Sequence, residues 1–399
     1  MISFDSVLNT VPQVKYYPDF DPHGSHDGYV FDGIRALAYE GVPLAGARTK
    51  VFAHIGFPDA AREPMPAVVL IHGGGGHPQD IWIRKWNARG YAAISMDTTG
   101  FFPQVPDGTP LYEGSSSGLE RRLPPPFAEE GYTVGPHNSS MQDCTLPEGD
   151  QWMYHAVSQV ILAHNLLRAD PRIDAGKIGL TGISWGGVIA SIVIGFDPRF
   201  AFAVPIFGSG HLGCGYADLN FRFRNPDVCF WLAEKRFPLV KMPVMWLGWN
   251  DDCAFSINSN SLSYLDTRDG NPSTCLSMLH GMLHSHYHGY KPEESFWFAD
   301  RIIRGEPVPR VWASYAGGRV SYGCSVKPAR VRLFWIDEKL AYVHREKYGF
   351  KNLSFMKQEW QIEELDAAGS EAPLPEKAVG KYVEFTLADG IVLTTPYSE

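Results

Sequence analysis

Leu180-Thr181-Gly182-Ile183-Ser184-Trp185-Gly186-Gly187-Val188 is the stretch on which the fold turns. A β-like run, Lys177-Ile-Gly-Leu-Thr-Gly-Ile183, ends at the serine, and an apolar helical stretch, Trp185 to Ile194, starts right after it. Gly182 and Gly186 frame Ser184 as G-x-S-x-G in the strand–turn–helix setting that gives this pattern chemical meaning. So sharp a turn tolerates only small residues beside the serine, which is lifted to the carboxyl edge of a sheet. The bland alternative is a small-residue turn with no chemistry. The strand before it and the helix after it favour a nucleophile.

Working outward, Pro66-Ala-Val-Val-Leu-Ile-His72 is a continuous apolar run of the kind a buried central strand requires. Gly73 to Gly76 follow, then Asp80 as a helix cap, with Ile81, Trp82 and Trp86 on one helix face and Gly90 as the stop. Tyr91-Ala-Ala-Ile-Ser-Met96 reads as the next strand. Strand, helix, strand at this spacing is a βαβ unit, so the sheet is expected to be parallel. The rhythm continues with a helix over Trp152 to Leu167 and strands at Ala201–Ile206, Val244–Trp249 and Thr274–Leu279. A last helix, Glu293 to Ile303, is started by Pro292 and stopped by Gly305.

These readings predict an α/β class core over residues 61–306, with insertions at 98–150 and 209–240 and an N-terminal β-rich segment (1–60) packed on it. After Pro307 and Pro309 the pattern turns to period two. Ala329–Ile336, Phe355–Ile362, Tyr382–Thr386 and Ile391–Thr395 form short runs, with Asp389-Gly390 as a hairpin turn. Residues 310–399 are therefore expected to form a small β-sandwich-like domain.

The 399 residues are 44% hydrophobic and 20% charged, which is ordinary globular material. With 35 Lys and Arg against 44 Asp and Glu, the net charge of −9 disfavours nucleic acid and anionic membrane as partners. The longest apolar stretch, Val188 to Phe196, is far below the roughly 20 residues of a membrane span. Six cysteines without C-x-x-C spacing, and a start without a signal-peptide pattern, suit a cytoplasmic protein with reduced thiols. Asn138 and Asn352 head glycosylation-type triplets, which carry little weight in that setting.

A serine nucleophile needs oxyanion donors, a base and an acid that orients the base. The glycine run after His72 offers the first donor, with Gly74 preferred over Gly73 or Gly75. The amide of Trp185 offers the second. The acid is expected after a later strand, and Asp251 is preferred, with Asp252 as the alternative. The base is expected last, in Leu279-His280-Gly-Met-Leu-His284-Ser-His286-Tyr-His288-Gly289. His286 is preferred, with His284 as the alternative base. His284, His286 and His288 at spacing two also permit a metal reading, but no carboxylate or cysteine completes a ligand set at suitable spacing, and Ser184 would stay unexplained. A metal is therefore not expected. Trp152 and Trp231, in or near the insertions, are candidates for stacking on sugar or for plain core packing.

Several of these segments together resemble the bacterial acetyl xylan esterase and cephalosporin-C deacetylase-like α/β-hydrolases. They are Tyr39-Glu-Gly41, Val51-Phe-Ala53, Pro66 to Gly76, Arg89 to Asp97, Ile161 to Arg168, Gly179 to Gly187 and Lys291-Pro-Glu-Glu294. The resemblance covers roughly residues 30–306. It implies an α/β-hydrolase fold, Ser184 as nucleophile, a carboxylate matching Asp251, a histidine within 284–288, and no metal or organic cofactor. It also implies a two-step esterase that acts on small acyl, above all acetyl, esters of a small molecule or carbohydrate. A homo-oligomer is left open. The rivals are a prolyl-oligopeptidase-type serine peptidase and a silent glycan-binding relative, because one fold hosts many functions.

Overall fold

The computed structural model describes residues 3–17, 33–59, 64–103, 119–120, 128, 131–215, 218–252, 254–340 and 359–399. Among these, a ten-stranded sheet organises the molecule. Across the sheet, its main path runs Val14–Tyr17, Ile34–Glu40, Arg48–Gly56, Ala92–Met96, Met65–Ile71, Ile173–Ile183, Phe202–Ile206, Met245–Trp249 and Cys275–Leu279. From Ala92–Met96 onward every neighbouring pair is parallel. The three N-terminal strands extend the same sheet in antiparallel fashion, and Tyr132–Val134 adds a short parallel strand to Arg48–Lys50.

The apolar runs explain this order. Val68, Val69, Leu70 and Ile71 are wholly inaccessible, as strands covered by helices on both faces must be. Helices Asp80–Asn87, Trp152–Ala169, Trp185–Val193, Ile257–Thr267 and Glu293–Arg304 supply that cover. The last has Glu293 and Glu294 in its first turn and Arg301 and Arg304 in its last, matching the helix dipole, and ends at Gly305 with φ 69°. Ile257–Thr267 lies where the sequence reading had no element. Asp80 proves to be the first residue of its helix and not its cap. Its carboxylate accepts the Ile81 amide at 2.7 Å, and Gln79 occupies the cap position.

The chain leaves Met65–Ile71 toward one edge of the sheet and returns to add Ile173–Ile183 on the other side. At such a switch the loops after two adjacent strands diverge and open a crevice at the strands' carboxyl ends. The loops that open here are Gly73–Gly76 and the turn at Ser184, so the topology alone places a site between them.

The C-terminal region forms two antiparallel sheets. One orders Val311–Ala316, Arg319–Cys324 and Glu371–Pro373; the other orders Gln361–Leu365, Arg330–Ile336, Gly380–Thr386 and Val392–Thr394. Val320, Tyr322, Val331, Leu333, Val383 and Phe385 pack between them. Alternate residues of the same strands, Phe334, Ile336 and Tyr382, face the hydrolase core instead. The expected strand at Phe355–Ile362 is found at Gln361–Leu365, and its earlier part lies outside the described residues. Part of the first insertion, 104–118, 121–127 and 129–130, lies outside them too.

Candidate active site

Ser184 ends the strand Ile173–Ile183 and precedes the helix Trp185–Val193 with φ 57° and ψ −118°. For a residue with a Cβ this backbone is strained by about 1–3 kcal/mol. Neighbouring hydrogen bonds hold it: the Ser184 amide donates to the Ile206 carbonyl at 2.8 Å, and Val188 N–H donates to the Ser184 carbonyl at 3.0 Å. The flanking glycines are steric necessities. A Cβ on Gly182 would lie 2.1 Å from the Gly186 carbonyl oxygen, and one on Gly186 would lie 2.1 Å from that of Ile71. The strand, turn and helix are thus pressed together, and the partly exposed Ser184 side chain is turned out toward the switch-point crevice.

The histidine that meets this serine is His284. Its Nε2 lies 2.9 Å from Ser184 Oγ, and its Nδ1 lies 2.6 Å from Asp252 Oδ2. Asp252 is buried, and its Oδ1 accepts the amides of Ala254 and Phe255, each at 3.0 Å. A carboxylate so placed can only accept, so Nδ1 carries a proton toward Asp252 and Nε2 presents its lone pair to the serine hydroxyl. Two rings clamp the imidazole: Phe207 stacks at 4.8 Å and Phe255 at 5.4 Å between centroids. Phe207 itself has φ 48°, a strained value for a bulky residue directly beside the site. The constellation can take a proton from Ser184 and stabilise the resulting imidazolium.

The preferred residues of the sequence reading stand elsewhere, and the alternatives take their places. His286 does not meet Ser184: its Nε2 accepts the Gly73 amide at 2.8 Å. Burial first, then the neighbouring imidazoles of His72, His77 and His284, push this ring down to about 3. It is neutral, its accepting nitrogen is engaged, and its proton sits on Nδ1. Asp251 does not meet His284 either; its Oδ1 accepts Trp360 Nε1–H at 2.8 Å in a buried contact. The reason is geometric in both cases. Chain order narrows the acid and the base to a loop but does not say which neighbouring side chain turns inward.

The glycine run after Ile71 divides its labour. Cβ atoms on Gly73 and Gly76 would lie 2.9 and 2.7 Å from His286 Nε2, so those two positions make room for that ring. A Cβ on Gly74 would lie 2.5 Å from Trp185 Cδ1, which puts Gly74 against the first helical residue after the serine. The Gly73 amide already donates to His286, which leaves Gly74 as the candidate donor of the two. Trp185 is in the first turn of its helix, where amides lack intrahelical acceptors.

His288 pairs with Ser285 at 2.8 Å, and His280 accepts from Asn250 at 3.2 Å. Among the described residues no three His, Cys, Asp or Glu side chains group as metal ligands. Trp152 and Trp231 are core residues, not sugar platforms: both are buried, with Nε1–H donated to Thr98 O at 2.6 Å and Gln151 Oε1 at 2.7 Å. The sequence reading missed Phe207 and Phe255, since nothing in the sequence sets two phenylalanines apart from the other 21. No described helix is long and apolar enough to cross a membrane.

The fold is similar to that of an acetyl xylan esterase from Paenibacillus sp. R4, at TM-score 0.51 and 16% identity, covering 75% of this chain and 91% of that one. It is likewise similar to acetyl xylan esterase 1 from Thermoanaerobacterium sp. JW/SL YS485, at TM-score 0.50 and 12% identity, covering 75% and 93%. At such identities the likeness speaks for the fold alone. No curated protein matches the chain. The family model described as acetyl xylan esterase (AXE1) matches residues 5–208, just over half of the chain, from the first helix through the serine turn to the strand beyond it. This protein therefore belongs to the acetyl xylan esterase family, and with it to the serine carboxylic ester hydrolases of the carbohydrate-esterase class.

Proposed function

We propose that this protein removes small acyl groups, acetyl foremost, from carbohydrate hydroxyls through Ser184, His284 and Asp252 and an acyl-enzyme. The observation that carries the reading is the chain of contacts from Ser184 Oγ to His284 Nε2 at 2.9 Å and from His284 Nδ1 to Asp252 at 2.6 Å. His284 takes the serine proton as Oγ attacks the ester carbonyl. Asp252 holds the imidazole in the correct tautomer and stabilises its charge. The amides of Gly74 and Trp185 receive the oxyanion of the tetrahedral intermediate. His284 then returns the proton to the departing sugar oxygen. Water, deprotonated by the same ring, attacks the acyl-serine and releases the acid.

The test is hydrolysis of p-nitrophenyl acetate and of acetylated xylo-oligosaccharides by the full chain and by Ser184→Ala. Acetate release that disappears in the variant is the expected result. Parental rates in Ser184→Ala, or cleavage of peptide anilides in preference to acetyl esters, would overturn the reading.

A further inference from the structure

The C-terminal β region contributes nothing to the triad itself, yet it grips both loops that supply the acid and the base. Asn250, Asp251 and Asp252 follow the strand Met245–Trp249 without a break. Asp252 faces His284, whereas its two predecessors face the C-terminal region. Trp360 Nε1–H donates to Asp251 Oδ1 at 2.8 Å, and Asn250 Nδ2 donates to Tyr382 Oη at 3.0 Å. The same amide nitrogen reaches His280 Nδ1 at 3.2 Å. His280 is the first residue past Cys275–Leu279, on the loop that delivers His284. One asparagine thus ties acid loop, base loop and Tyr382 together.

The grip extends along the outer strand. Cys275–Leu279 is the last strand of the main sheet, and Val392–Thr394 lies along it. Ser277 Oγ–H donates to Val392 O at 2.7 Å, and Met278 N–H donates to Thr394 Oγ1 at 3.3 Å. The two gripping side chains are themselves fixed. Trp360 meets Tyr382 edge to face at 5.2 Å, and Phe334 stacks on Tyr382 at 4.9 Å and 13°. All three rings are buried, and Phe334 also meets the His280 ring at 5.4 Å.

We propose that Trp360 and Tyr382 are positioning residues for the hydrolytic reaction, holding the 250–252 loop in the register that presents Asp252, not Asp251, to His284. Two adjacent aspartates are chemically equivalent, so a one-residue slip of this loop would offer the wrong carboxylate from the wrong direction. The indole N–H holds Asp251 on the far side, and the phenol holds Asn250, so the slip requires breaking both contacts. The inference rests on the reading of Asp252 and His284 as acid and base.

The test is a kinetic cycle in the full-length protein with p-nitrophenyl acetate as substrate. Trp360→Phe deletes the indole donor, and Tyr382→Phe deletes the hydroxyl while keeping the ring. Misplacement by about 1 Å costs on the order of 100-fold in rate, so kcat should fall about 10- to 100-fold in Trp360→Phe and by a smaller factor in Tyr382→Phe. KM should stay within about twofold, as for an interaction felt only in the transition state. In an Asp252→Asn background, Trp360→Phe should cost nothing further, because no acid remains to be placed. Parental kcat in both variants, or an equal loss with and without Asp252, would overturn the positioning role. If Trp360→Phe does not fold, Tyr382→Phe with its own Asp252→Asn cycle decides. Loss of activity in Ser184→Ala beside parental kcat in Trp360→Phe and Tyr382→Phe would sink this inference alone. Parental activity in Ser184→Ala would sink the esterase mechanism beneath it.

Discussion

The two sides of the cleft are built by different means. On the serine side the main chain does the work: strand, turn and helix touch so closely that Gly182 and Gly186 admit no side chain, and Ser184 has one place to go. On the acid–base side the work is done by side chains aimed by distant partners. Asp252 is selected over Asp251 by the amides of Ala254 and Phe255 on one hand and by Trp360 on the other. His284 is selected over His286 by Phe207, Phe255 and Asp252, while Gly73 takes His286. Backbone crowding leaves a local trace in composition. Side-chain direction leaves none.

The sharpest way to break this contrast is to swap the members of each neighbouring pair. Ser184→Ala and His284→Ala should each lower kcat for p-nitrophenyl acetate by roughly 10⁴- to 10⁶-fold, and Asp252→Asn by about 10⁴-fold. His286→Gln and Asp251→Asn should lose far less. A larger loss in Asp251→Asn than in Asp252→Asn would reverse the assignment of the acid. On the serine side, Gly186→Ala should fail by folding and not by chemistry. Its methyl group would press on the Ile71 carbonyl, and main-chain overpacking of this kind costs about 1–3 kcal/mol or more. Thermal melting of the variant should fall by several degrees; an unchanged melting temperature would show that the turn has slack.

His286 sharpens the contrast further, because it belongs to the serine side although it sits in the base loop. His286→Gln should lower kcat about tenfold with little change in KM, since the acceptor of the Gly73 amide, next to the proposed oxyanion donor Gly74, is displaced from the ring position. The ring also predicts an acid sensitivity. Its folded value of about 3 lies below the unfolded value near 6.5, so the unfolded chain binds a proton that the folded chain refuses. Stability is therefore fully present above about pH 6.5 and is lost as the pH falls toward 3, by at most about 1.4 kcal/mol per pH unit for this ring. Melting curves between pH 7 and 4 should be shallower for His286→Gln than for the parent; parallel curves would mean that the ring titrates normally. The smallest effect belongs to the clamp. Phe255→Leu should lower kcat about three- to tenfold, as expected for losing one aromatic contact of about 0.5–1.5 kcal/mol.

Most of the α/β core was legible because its strands are buried on both faces and its helices are punctuated. Pro66–Ile71, Tyr91–Met96 and the Gly305 stop announce themselves in composition. The turn that carries the proposed nucleophile, Ser184, was legible for a related reason: a strained turn needs glycines at fixed offsets. The helix Ile257–Thr267 escaped because its Asn- and Ser-rich face, INSNSLSY, reads as loop. The side chains proposed as base and acid lie within one or two residues of those preferred from the sequence. Chain order limits the loop, but the choice within it depends on Trp360, Phe207 and Gly73, all remote in sequence. The brace by the C-terminal region was invisible for the same cause, since Tyr382 reads simply as one more inward residue of a strand.

The most direct test of the central claim is covalent labelling of the full chain with a fluorophosphonate, read by intact-mass and peptide mass spectrometry. One label per chain on Ser184, nearly abolished by His284→Ala and retained in His286→Gln, is the result this account predicts. A label on any other residue, or one that depends on His286 and ignores His284, would contradict it.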